Sequence, residues 1–179
     1  MRKLIILLIF ISVSCSTVRE QIMPFRNYGY SGERLFPIQN SDADNIVRIW
    51  INNGTSIDRI ITVSKGKNFS EHSELIEIGL TKNGKRKFLT QEEQKPLSGI
   101  AKFLQTVDSL NLFQYESQEK FSPALHQPFS FYVIEQKKDG KYHQFTFNTD
   151  FPNKNEEATK FTALEEFIMN EFKWEFKLN

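Results

Sequence analysis

Residues 129–148 read FSFYVIEQKKDGKYHQFTFN. Two runs rich in aromatic and β-branched residues flank Asp139-Gly140, a dipeptide suited to a two-residue hairpin turn. That turn sets Ile134 opposite Phe145 and Tyr132 opposite Phe147, placing four large apolar side chains on one face. His143 falls on the same face, opposite Gln136 and near the sheet end.

Working outward, the chain before this hairpin repeats the pattern. Val47, Ile49 and Ile51 share one face of a strand, as do Ile57, Arg59, Ile61 and Val63 of the next, with Asn53-Gly54 between them. A two-residue turn there would pair Val47 with Ile60 and Ile49 with Asp58, which mixes faces. A longer loop pairs Ile51 with Ile57 and Val47 with Ile61, setting apolar beside apolar, and is preferred. A second hairpin runs from Leu75 to Leu89 around Asn83-Gly84, with Ile76, Ile78 and Leu80 alternating with Glu77 and Gly79.

Two segments carry helical spacing instead. Leu97, Ile100, Ala101, Leu104, Val107 and Leu110 form one apolar stripe, with Pro96 acceptable in a first turn. Phe161, Leu164, Phe167, Ile168 and Phe172 form the other, with Glu156 and Glu157 at its positive N-terminus. Trp174, Phe176 and Leu178 alternate, which allows a short last strand. The order ββββαββα implies an α+β domain over residues 45–179: an antiparallel sheet of about six strands with two helices packed on one face.

The beginning of the chain has a different character. Arg2 and Lys3, the apolar run from Leu4 to Ile11, and Ser12-Val13-Ser14 before Cys15 follow the order of a secretion signal over residues 1–14. The apolar run is short of the roughly 20 residues needed to span a bilayer. A small residue before a lone cysteine resembles the lipobox of bacterial lipoproteins, and this leader and layout together resemble small bacterial lipoproteins of unassigned role. The resemblance implies cleavage before Cys15 and lipidation of that residue. The position three before the cysteine is Ser12, where these lipoproteins usually carry leucine. Ser12 and Ser14 also suit ordinary signal cleavage, so a plainly secreted product is the alternative. Cys15 is the single cysteine of the chain, and an exported domain with one thiol forms no internal disulfide. No acidic cluster follows it, which favours a periplasm-facing envelope protein. Residues 15–44, interrupted by Pro24, Gly29, Gly32 and Pro37, read as a tether.

The 179 residues carry 23 basic and 22 acidic side chains, and loss of Arg2 and Lys3 with the leader turns a net charge of +1 into about −1. A near-neutral chain without an arginine-rich stripe has no field to attract nucleic acid. Seventeen phenylalanines supply enough apolar area for a core without disulfides.

Chemistry is sparse. His72, His126 and His143 stand at no metal-ligand spacing, so no metal or cofactor is expected. There is no nucleophile elbow and no glycine-rich phosphate loop. Adjacent glutamates on a helix diverge, and Glu135 and Asp150, taken to lie near strand ends, are the carboxylates left open for acid–base work. The long segment between Phe113 and Pro128 holds Tyr115, Phe121 and His126, which are the candidate binding residues. Basic residues concentrate at hairpin tips (Lys65, Lys67; Lys82, Lys85, Arg86, Lys87; Lys137, Lys138, Lys141), either as a cationic rim or as solvating charge. The expectation is a non-catalytic, lipid-anchored protein that binds another envelope component. A periplasmic immunity or inhibitor lipoprotein and an unrecognised hydrolase are the alternatives.

Overall fold

Asp139 and Gly140 adopt φ of 50° and 75°, the left-handed pair that a two-residue hairpin requires, and the register is the one their position dictates: Ile134 faces Phe145 and Tyr132 faces Phe147. The computed structural model describes residues 35, 37–52, 57–68, 70–80, 83, 86–117, 131–147 and 156–174. Its strands are β1 (Asn45–Asn52), β2 (Ile57–Lys65), β3 (Glu71–Leu80), β4 (Arg86–Glu93), β5 (Phe131–Lys138) and β6 (Lys141–Phe147), and its helices α1 (Ile100–Leu110) and α2 (Glu156–Phe172). All neighbouring strands are antiparallel, in the spatial order β4-β3-β2-β1-β5-β6. The fold is α+β.

Ile38–Asn179 forms one compact unit, which holds every strand and helix among the described residues. It begins with a 3-10 turn, Ile38–Asn40. The residues that follow are stitched to the strands: Asp44 N–H donates to the Lys65 carbonyl, Asp139 N–H donates to that of Asp44, and Lys137 Nζ to that of Ser41.

The helices cover one face of the sheet. Val47, Ile49, Ile51, Ile61, Val63, Leu75, Tyr132, Ile134, Phe145 and Phe147 meet Ile100, Phe103, Leu104 and Val107 of α1 and Phe161, Leu164, Ile168 and Phe172 of α2. Rings stack through this layer: Tyr132 on Phe147 at 4.7 Å, Phe147 on Phe161 at 5.0 Å and Phe103 on Phe167 at 5.3 Å between centroids. Offset ring pairs of this kind add to the area they bury.

Two local expectations change. The β1–β2 loop is longer by one further step, so Val47 faces Val63 and Ile51 faces Arg59. The slip is of two residues, which preserves the face of every side chain. Helix α1 starts at Ile100 instead of near Leu97, because Gly99 at φ 83° breaks the helical path and the backbone N–H groups of Leu97 and Ser98 donate to the carbonyl and carboxylate of Glu171. Leu97 is consequently 60% exposed and Ala101 also faces solvent, while Phe103 is buried in their stead. Helix α2 stops at Phe172. Lys173 turns left-handed (φ 54°), and the N–H groups of Lys173 and Trp174 return to the carbonyls of Asn170 and Met169, a Schellman closure. Phe176 and Leu178 of the expected last strand lie outside the described residues.

Candidate functional site

The face of the sheet opposite the helices is buried as well, and it is not uniformly apolar. Ile46, Trp50, Ile60, Ile76, Ile78 and Val133 are each at most 5% exposed. Between them runs one transverse row of polar residues, each opposite the next on the neighbouring strand: Glu93, Glu74, Thr62, Arg48, Glu135 and Gln144. Strand periodicity makes such a row, since residues in register across antiparallel strands point to the same side.

The centre of the row is a buried ion pair. Arg48 and Glu135 are 3% and 2% exposed, with Arg48 Nη1 3.9 Å from Glu135 Oε2. Trp50 Nε1–H donates to the same carboxylate oxygen at 2.6 Å, and Arg48 Nε–H donates to Thr62 Oγ1 at 3.2 Å. Tyr142 Oη lies 3.0 Å from Glu135 Oε1 and 2.9 Å from Gln144 Oε1. Glu135 therefore sits inside β5, and not near a strand end as its sequence position suggested. Asp150, the other open carboxylate, lies outside the described residues.

Burial pushes the Arg48 guanidinium down from its ordinary value, opposed by the charge of Glu135. A guanidinium starts so high that it stays charged. Burial, and after it the neighbouring Glu135 charge, push the Tyr142 phenol well up, so it stays neutral and serves as a donor. Both oxygens of Glu135 are engaged by protein donors. Chemically this is a clamp: it fixes β1, β2, β5 and β6 in register, and each charge is satisfied from within.

A second polar group lies at one end of the helix-covered face. Asp108, in the last turn of α1, accepts from Asn45 Nδ2 at 3.2 Å and Gln136 Nε2 at 3.3 Å, and pairs with Lys138 Nζ at 2.8 Å. An aspartate at a helix C-terminus opposes the helix dipole, which this lysine offsets. Beside it, His143 donates from Nε2 to the Tyr115 carbonyl at 2.7 Å, and its ring lies 5.8 Å from Phe113 and from Phe145.

Of the candidate binding residues, Tyr115 packs on the core, its ring 5.1 Å from Phe145 and 5.8 Å from Phe161. Phe121, His126 and Cys15 lie outside the described residues. His72 is on β3, far along the sheet from His143 on β6, so the structure does not bring these two together. Among the described residues no three His, Cys, Asp or Glu side chains converge as metal ligands.

The hairpin tips at Lys65–Lys67 and Lys137–Lys141 do share one sheet end, as the antiparallel order requires. Their charge is met locally, Lys65 by Glu71 at 3.7 Å, Lys67 by Asp44 at 3.9 Å and Lys138 by Asp108. Lys87, paired with Gly79 at the start of β4, lies at the other sheet end, and Lys82 and Lys85 lie outside the described residues.

A shallow open cleft of about 350 Å³ lies over the end of the β3–β4 pair, lined by His72, Glu74, Gln91, Glu92 and Glu93. No helix among the described residues is long and apolar enough to cross a membrane. Comparison with protein-family models, curated proteins and solved structures returned no match to this chain.

Proposed function

We propose that this chain is a lipid-anchored protein of a bacterial cell envelope whose α+β body acts by binding another envelope component, without catalysis. The observation that carries the reading is the succession Arg2-Lys3, the apolar run and Ser12-Val13-Ser14 before the single Cys15. A leader followed at once by a lone cysteine makes sense of that thiol as an acylation site. The folded body supports the second half of the reading. Its most buried charges, Arg48 and Glu135, are saturated by internal partners, and Tyr142 is held neutral beside them. Such groups build a rigid platform and leave recognition to the surface. With Tyr115 committed to the core, the contact is assigned to Phe121 and His126 of the same segment.

Labelled palmitate tests the anchor. The native chain takes up label and fractionates with membranes, whereas Cys15→Ala takes up none and is released. A native product with an intact start, or one without fatty acid, overturns the proposal. For the contact, a pull-down from the envelope retains its partner with the native chain and loses it with Phe121→Ala/His126→Ala at unchanged fold; equal recovery removes those residues from the contact.

A further inference from the structure

Strand β4 ends the sheet on one side, and its sequence RKFLTQEE is basic at the start and acidic at the finish. An edge strand carries unpaired backbone groups that another strand can complete. The charges and one irregularity in the strand select the partner that fits.

Antiparallel pairing of two copies of β4 about a two-fold axis between Leu89 and Thr90 would set Lys87 against Glu92 of the second copy, Arg86 against Glu93, Phe88 against Gln91 and Leu89 against Thr90. In a regular strand this register fails, because residues an odd number of positions apart point to opposite faces. Here the register between β3 and β4 shifts: Phe88 faces Ile78 and Thr90 faces Glu77, so Leu89 is an extra residue. The shift puts Lys87, opposite Gly79, on the same face as Glu92, opposite Leu75. Two side-chain contacts confirm the faces after the shift. Thr90 Oγ1 lies 3.4 Å from Glu77 Oε2, and Gln91 Nε2 donates to Glu74 Oε1. Leu89 lies over Gly79, on the face of Lys87, and remains 45% exposed.

We propose that β4 pairs with β4 of a second copy of this chain, joining two six-stranded sheets into one. Lysine and glutamate then stand opposite at both ends of the interface, as a closed two-fold contact requires, and the exposed Leu89 of each copy is covered at the axis. The acidic cleft lined by Glu74, Glu92 and Glu93 receives the basic start of the partner strand. Lys87, Glu92 and Glu93 are all exposed and free to make these contacts; the bridge between Glu93 and Lys95, 3.0 Å long with both side chains about two-thirds exposed, is a solvated competitor. An eight-residue edge contact is smaller than a standard interface, so the association is weak, and confinement of both copies to one surface would strengthen it. The proposal is independent of the anchor.

Sedimentation of the full chain in a mild detergent tests it, with circular dichroism as the control for fold. The native chain sediments as a concentration-dependent dimer. Lys87→Glu alone and Glu92→Lys alone each weaken association at least tenfold, since like charges then face each other. An equimolar mixture of the two variants dimerises again, because every pair across the axis is once more opposite in sign, and the double variant Lys87→Glu/Glu92→Lys does the same by itself. A native chain that stays monomeric to high micromolar concentration overturns the proposal. So does a dimer indifferent to both single variants, which would lie on another surface, or a mixture that fails to reassociate while both variants remain folded.

Discussion

On the helix side of the sheet, Tyr132, Phe145 and Phe147 meet Phe161 of α2 in a stack of rings. On the other side, at equal depth and only one residue along the same strands, Arg48 and Glu135 meet Trp50, Thr62 and Tyr142. The first face is held by area removed from water, which tolerates some slippage of shape. The second is held by directed bonds between groups that are costly to bury, so it tolerates loss of neither partner. Register across the centre of the sheet is thus enforced twice, once by parity and once by geometry.

The largest effects separate these two modes. Phe147→Ala opens a cavity among stacked rings and costs about 3–5 kcal/mol, read by urea denaturation. Glu135→Leu costs about as much, roughly 3–5 kcal/mol, because it strands the Arg48 charge. The double variant Arg48→Met/Glu135→Leu recovers most of that loss, as replacement of a buried pair by apolar groups is often neutral. A double variant as unstable as the single would mean that the ion pair contributes net stability, which would break the contrast between the faces.

A smaller effect sharpens it. Tyr142→Phe removes one donor to Glu135 and costs about 1 kcal/mol at neutral pH. The phenol is held above its ordinary value in the folded chain, by burial first and Glu135 second. Unfolded tyrosine ionises near pH 10, so above that pH the unfolded chain releases a proton that the folded chain retains. This component of stability is complete below pH 10 and is lost as pH rises beyond it. Denaturation at pH 8 and pH 11 will show a steeper alkaline loss for the native chain than for Tyr142→Phe. Least of all, Leu97→Ser changes stability by under about 0.5 kcal/mol, since Leu97 is 60% exposed; a larger loss would restore it to the helix stripe.

The distance between Leu97 and its expected role shows where sequence patterns stop. The β5–β6 register was legible because Asp139-Gly140 allows one turn and one pairing. Between β1 and β2 only the parity was legible: the apolar alternation decides which side chains face inward but not how many residues form the loop. Helical spacing marked Ile100, Leu104 and Val107, yet the stripe is cut short at Gly99, and the bond that holds Ser98 just before it comes from Glu171, 73 positions away. The Arg48–Glu135 pair was harder still. Its partners are 87 residues apart in the chain, and they meet because β5 inserts beside β1, a choice that no local pattern records. The available signal was a charge flanked at two-residue spacing by Ile46 and Trp50, in a strand apolar on both sides.

The start of α1 has no side-chain cap of its own; Gly99 stands at the cap position, and the N–H and hydroxyl of Ser98 both rest on the Glu171 carboxylate at 2.9 Å. The last turn of α2 thus holds the two residues that lead into α1, Leu97 and Ser98. A product truncated before Glu171 leaves the N–H groups of Leu97 and Ser98 without these partners.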